Sequence, residues 1–112
     1  MHAFDVLADP VRRRILELLA VGEHASGEVV EIVGTEFDIG QSAVSQHLKV
    51  LRESGFASVT VSGVKRIYAI EAEPLSEVAE WLSQFRQFWG PKLGALATEV
   101  ARGKRRRKRK RG

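Results

Sequence analysis

Residues 41–54 read QSAVSQHLKVLRES. Projected at about 100° per residue, Val44, Leu48 and Leu51 fall within about 60° of one another, and Ser42, Ser45, Gln46, Lys49 and Glu53 lie opposite. One face suits a core. The other presents hydroxyls, an amide and a cation, groups that pair with base edges and phosphates, whereas a merely solvated face is usually richer in Glu–Lys pairs. Gly40 stands at the N-cap and Gly55 just past the end, so the spacing predicts a helix closed by a glycine.

Upstream, TEFDIG (35–40) reads as a linker with some apolar character in Phe37 and Ile39. ASGEVVEIVG (25–34) reads as a short helix with Val29, Ile32 and Val33 inward and Gly34 as its stop. In PVRRRILELLAVG (10–22), Val11, Ile15, Leu18 and Leu19 form a stripe at helical spacing, with Asp9 as N-cap, Pro10 at the first helical position and Gly22 at the end. Arg12, Arg13 and Arg14 are expected to straddle its exposed side, either as a charged face steadied by Glu17 or as phosphate contacts. FDVLADP puts Phe4 and Leu7 on one side of a short helical turn. Two helices with a short connection, the second amphipathic with a polar outer face, make a helix-turn-helix.

Downstream, the hydrophobic period changes from 3.6 to 2. In FASVTVSGVKRIYAI (56–70), Val59 and Val61 alternate with Ser58 and Thr60, Ser62-Gly63 reads as a turn, and Ile67 and Tyr68 continue on the return strand. This predicts a β-hairpin with Lys65 and Arg66 just past its tip. From Pro74 a long helix is expected, in which Leu75, Val78, Leu82, Phe85 and Trp89 recur at spacings of three and four beside Trp81 and Phe88. A monomer this small does not easily cover so much apolar surface, and at about 25 cal/mol per Å² leaving it wet is costly. Gly90-Pro91 should break the helix, and Leu93, Leu96, Ala97 and Val100 make a last helical piece.

The chain of 112 residues, 44% hydrophobic and 29% charged, fits one domain with a modest core. It has no apolar run near 18 residues, and Asp5 and Asp9 interrupt its N-terminus, so a soluble, cytoplasmic protein without a membrane span is expected. Lacking cysteine, it has no thiolate ligand and no thiol nucleophile. The net charge of +4 conceals an asymmetry: residues 102–112, RGKRRRKRKRG, hold nine of the 18 Lys and Arg, leaving residues 1–101 with nine basic against 14 acidic side chains, a net of −5. The expected organisation is therefore a folded domain over 1–101 and a basic, disordered tail over 102–112. The high pI of 9.9 belongs to the tail and cannot by itself make the domain a nucleic-acid binder.

The order of elements, with LADPVRRRILELL early and SAVSQHLKVLRESGF in the middle, resembles the ArsR family of bacterial winged helix-turn-helix regulators over roughly residues 4–89. The resemblance implies a mainly α fold with a β-hairpin, in the order helix, helix, helix, recognition helix, strand, strand, helix. It also implies a homodimer whose recognition helix is the 41–54 stretch and whose wing is residues 56–70. Dimer contacts would come from the first and last helices, through Phe4, Leu7, Val78, Trp81, Leu82, Phe85, Phe88 and Trp89. Family metal sensors often carry a Cys-x-Cys pair where this chain has Ala25 and Gly27, and others use Asp and His on the last helix, where PLSEVAEWLSQFRQFWGPKL has neither. A non-metal-sensing member with no cofactor is expected. The connection before the recognition helix reads as longer than the family's usual one.

His47, at the edge of the apolar face, reads as a packed histidine bonding backbone or phosphate. Ser45 and His47, two apart on a helix, point about 160° away from each other and cannot act as a pair. Metal binding by His2, His24 and His47 would need three distant segments to converge. With no paired acid and base and no phosphate-cradling loop, an enzyme is not expected. The expected function is a homodimeric, sequence-specific regulator of transcription, a repressor and autoregulatory, on a pseudo-palindromic double-stranded DNA operator. Its contacts would be Gln41, Ser42, Ser45, Gln46, His47, Lys49, Lys65 and Arg66. Two other readings remain open: a general nucleic-acid-binding or architectural protein driven by the tail, and a dimeric protein-interaction module.

Overall fold

The computed structural model describes residues 2–89. The expected break at Pro91, the helical piece beyond it and the basic tail lie outside the described residues. The elements run α1 (Ala3–Leu7), α2 (Pro10–Val21), β1 (His24–Ala25), α3 (Ser26–Phe37), α4 (Gln41–Glu53), β2 (Ala57–Ser62), β3 (Lys65–Ile70) and α5 (Glu73–Ser83). The winged helix-turn-helix order is the expected one, with the addition of β1, which pairs antiparallel with β3 through His24↔Tyr68 and Ala25↔Ile67. The sheet order is β1-β3-β2. Two residues ahead of a helix carry no period, which is why β1 escapes sequence reading.

Asp9 caps α2 as expected, its Oδ1 accepting from the N–H of Val11 at 2.8 Å and of Arg12 at 3.2 Å. Burial would raise its pKa, but the Arg12 N–H, the charge of His47 and the Val11 N–H together hold it below the ordinary value. The buried stripe of α2 is Val11, Ile15, Leu16 and Leu19, so Leu16 takes the place expected of Leu18, which packs half-buried at the margin.

The helix α3 does not stop at Gly34. It runs to Phe37, and Asp38 closes it with φ 54° and its N–H on the Gly34 carbonyl. Thr35, Glu36 and Phe37 are therefore helix, and the linker expected over 35–40 shrinks to Asp38, Ile39 and Gly40. Gly34 has a different purpose. A Cβ there would stand 3.0 Å from the Ile39 carbonyl oxygen, so the chain can return over this position only if it lacks a side chain.

Gly40 is the N-cap of α4, whose buried face is Val44, Leu48 and Leu51. At about 1.5–3 kcal/mol for each large apolar side chain removed from water, these three fix the rotation of the helix against the core. Its end is a Schellman motif: Phe56 N–H donates to Leu51 O at 2.9 Å, and Gly55 N–H donates to Arg52 O at 3.2 Å. Gly55 supplies the required positive φ of 80°, and Phe56, 1% exposed, enters the core as β2 begins. The glycine thus turns a helix into a strand within two residues.

In the hairpin, Ser62 pairs with Lys65, so the two loop residues are Gly63 and Val64, one position later than the expected Ser62-Gly63. Gly63 has φ 62° and Val64 is not among the positive-φ residues, the pattern of a type II′ turn with glycine first. The core joins Val6, Val11, Ile15, Leu16, Leu19, Val29, Val33, Val44, Leu48, Leu51, Phe56, Ala57 and Tyr68.

Residues up to Ala79 form one compact unit, and a second begins at Glu80. In the first, Leu75 packs against the core. In the second, the long helix expected from Pro74 is interrupted after Ser83. Ser83 Oγ donates to Glu80 O at 2.6 Å and Gln84 Nε2 to Trp81 O at 2.9 Å. Side chains thus occupy carbonyls that the next helical N–H groups would need, and Phe85 and Phe88 bond three residues back instead. The Trp81 and Phe85 rings meet edge-on at 4.9 Å, and Phe85 and Trp89 lie 6.1 Å apart.

Candidate nucleic-acid interface

Gln41, Ser42, Ser45, Gln46 and Lys49 are all exposed along α4, opposite its buried stripe. The structure divides this surface. Ser42, Gln46 and Glu53, at four- and seven-residue steps, form the outermost line, while Ser45, Lys49 and Arg52 lie along the flank toward β3. His47 lies on the other flank, half-buried toward the start of α2. Its Nδ1 is 3.4 Å from Arg12 Nη1 and 4.0 Å from Asp9 Oδ1. A guanidinium only donates, so Nδ1 accepts in the Arg12 contact and Nε2 carries the ring proton.

The wing separates the two basic residues expected to act together. Arg66 and Tyr68 share one face of β3, and Lys65 is on the other. Tyr68 is buried and turns that face toward α4. Arg66 therefore looks into a groove of about 250 Å³ lined by Ser26, Ser45, Leu48, Lys49, Arg52 and Tyr68, while Lys65 stands exposed outside it. Sequence reading missed Ser26, Arg52 and Tyr68. Arg52, seven residues after Ser45, could have been found on the helical projection; Ser26 and Tyr68 reach the site only through the packing of α3 and β3 on α4.

The three consecutive arginines are not an exposed phosphate-binding face. Arg12, with its side chain 12% exposed, turns inward: its Nε donates to Val6 O and its Nη2 to Asp5 O, each at 3.0 Å. Arg13 Nη1 donates to Leu7 O at 2.6 Å. These two guanidinium groups cover the terminal carbonyls of α1, which a five-residue helix cannot satisfy itself. Arg14 holds Glu36 through two bonds of 2.8 and 3.0 Å, which raises the arginine's pKa and lowers the carboxyl's, with Glu17 a weaker partner at 3.6 Å.

Of the residues expected at a dimer contact, Phe4, Trp81, Leu82 and Phe88 are exposed, with Phe88 at 69%. Val78, Phe85 and Trp89 are half-buried, and Leu7 packs at the edge of the core. Among the described residues, no group of three or more His, Cys, Asp and Glu is placed to hold a metal ion, and no helix is long and apolar enough to cross a membrane.

The family described as "Bacterial regulatory protein, arsR family" matches residues 9–59. The Transcriptional repressor SdpR of Bacillus subtilis (strain 168) is 29% identical over 84 residues, covering 75% of this chain and 89% of its own. The HTH-type transcriptional regulator Rv2034 of Mycobacterium tuberculosis (strain ATCC 25618 / H37Rv) is 35% identical over 84 residues, 75% of each chain. Among solved structures, the homodimeric winged helix-turn-helix DNA-binding domain Mb0332 of Mycobacterium bovis superposes with a TM-score of 0.58. It is 25% identical over 72% of this chain and 71% of its own.

Proposed function

The chain belongs to the arsR family of bacterial regulatory proteins, and on that premise we propose that it is a homodimeric, sequence-specific, cytoplasmic DNA-binding repressor of transcription. The observation that carries this reading is the division of α4. Three buried side chains fix its rotation, and its exposed side presents Gln41, Ser42, Ser45 and Gln46 as adaptable donors and acceptors. Such a helix fits the major groove, where glutamine pairs bidentately with adenine. Lys49, Lys65, Arg66 and the outward Nε2–H of His47 would meet phosphates and fix the register. A role as repressor follows SdpR's, and self-association through Phe4, Leu7, Val78 and the aromatic residues from Trp81 to Trp89 follows the homodimeric relative. A dimer would read a pseudo-palindromic operator, including one upstream of its own gene. Regulation through a metal at the family's cysteine positions is not expected with Ala25 and Gly27 standing there.

The test is titration of the full chain against an operator duplex selected from its own genome and against random duplex. Specific affinity should exceed random affinity by at least about a thousandfold. Gln46→Ala should cost about 1–3 kcal/mol on the operator and relax specificity, while Lys65→Ala should weaken both duplexes alike. Equal affinity for both duplexes would leave a general nucleic-acid binder driven by the tail. No binding to either would leave a protein-interaction module. Sedimentation should show a dimer that Trp81→Glu dissociates.

A further inference from the structure

The groove between α4, the start of α3 and β3 gathers three cations into a concave wall: Lys49 and Arg52 three residues apart on one helix, and Arg66 from the wing. Among the described residues, none of the three has a carboxylate within ion-pair distance, although residues 1–101 carry a net charge of −5 and Arg14 readily finds Glu36. Like charges at this helical spacing repel one another, so the arrangement is destabilising unless an anion occupies it. Hydroxyls stand beside the charges. Ser26 opens α3, Ser45 is one turn before Lys49, and Tyr68 lines the floor with Leu48. Tyr68 is only 4% exposed and no described residue takes its hydroxyl in a hydrogen bond. Because no buried polar side-chain atom is left unsatisfied, that hydroxyl must open onto solvent.

We propose that this groove is a phosphate-binding site, taking the phosphate group of a small phosphorylated molecule and thereby competing with DNA for Lys49, Arg52 and Arg66. A phosphate monoester carries about −1.5 to −2 charge at neutral pH and three strong acceptor oxygens. Two guanidinium groups, one ammonium and the hydroxyls answer both the charge and the acceptors, and guanidinium pairs bidentately with such an oxyanion. At about 250 Å³, the groove is smaller than the roughly 300–1,000 Å³ of pockets that enclose whole drug-sized ligands. It would seat a phosphate and leave the remainder of the molecule outside. The same chemistry could come from a backbone phosphodiester of DNA. The competition rests on the DNA-binding reading, whereas the anion site itself does not.

The experiment uses the full chain at fixed ionic strength with pyrophosphate as probe, by calorimetry and by amide chemical shifts of Ser26 and Ser45. Binding at a single site should shift those two amides. Arg52→Met and Arg66→Met, on different elements, should each weaken it about tenfold. Arg86→Met, which removes one positive charge elsewhere and leaves the basic tail intact, should not. Pyrophosphate should also displace operator DNA from the wild-type chain. No pyrophosphate binding in a chain that binds operator would overturn the proposal and leave the DNA reading standing. Equal weakening by Arg86→Met would overturn it too, since binding would then follow overall charge. Pyrophosphate binding at Ser26 and Ser45 without displacement of DNA would support the anion site and remove these cations from the DNA contact.

Discussion

Arg12 Nη1 lies 3.4 Å from His47 Nδ1, so a side chain that also holds the last carbonyls of α1 touches the flank of the helix that carries the candidate reading face. The arginine joins three helices at one point. α1 supplies carbonyls, α2 supplies the arginine and its Asp9 neighbour, and α4 supplies the histidine. The rotation of α4 is set by its buried stripe, and this contact braces it from the side opposite the wing.

Replacing Arg12 with Met should retain much of the aliphatic packing but leave the Asp5 and Val6 carbonyls without their donor. The expected cost is about 2 kcal/mol, since hydrogen bonds from charged groups that are partly buried lie at the upper end of the usual range. Urea denaturation checks this. Arg13→Met, which removes a single bond from an exposed residue, should cost less; equal losses would mean that Arg12 contributes only as surface charge.

Asp9 gives stability a dependence on pH. Its folded pKa lies below the ordinary 3.8, because its N–H partners and the charge of His47 outweigh burial. A depressed carboxyl contributes fully above the unfolded value and loses that contribution as pH falls through the folded one. The urea midpoint should therefore fall below about pH 4 more steeply in wild type than in Asp9→Asn, which keeps a capping oxygen without a titrating charge. Asp9→Ala should lose about 1 kcal/mol at neutral pH as well.

Much of this is legible in the sequence because period is a local property. Val44, Leu48 and Leu51 declare α4, and the alternation after Gly55 declares the hairpin, since each pattern is decided by residues within a few positions. What escapes depends on distant partners. Arg12 reads as exposed charge until His47, 35 residues away, and the α1 carbonyls are placed beside it. The groove is half legible: Lys49 and Arg66 stand out by their positions, but Ser26 and Tyr68 join them only after α3 and β3 pack on α4.

Gly34 reads as a stop, as glycines near helix ends often do, yet its role is to admit the Ile39 carbonyl. Gly34→Ala tests the difference. Inside a helix alanine is better than glycine by about 1 kcal/mol, so a purely local view predicts stabilisation. The structure predicts the opposite sign. A Cβ at 3.0 Å from a backbone oxygen forces the Asp38–Gly40 connection to move, and backbone cannot yield as a side-chain tip can. A net loss of about 1 kcal/mol is expected in urea, together with weaker operator binding because this connection positions the start of α4. A rise in stability would show that the connection yields freely.

The basic segment 102–112 lies outside the described residues, but its charge alone permits a prediction in which affinity and specificity part company. A body of net charge −5 is repelled by a polyanion at long range, and nine nearby cations can reverse that. If the segment engages about four phosphates per subunit, deleting it should reduce the dependence of log affinity on log salt by roughly 0.9 for each phosphate released, near 7 for a dimer. Operator and random duplex should weaken in about equal proportion, because a run of Arg and Lys without bidentate side-chain geometry toward base edges does not tell sequences apart. Binding of full and truncated chains to both duplexes, at several salt concentrations, measures the two effects separately. An unchanged slope would assign the segment to another partner. The cations of α4 and the wing would then have to overcome the acidic body unaided, and replacing Lys49 or Lys65 should abolish binding outright.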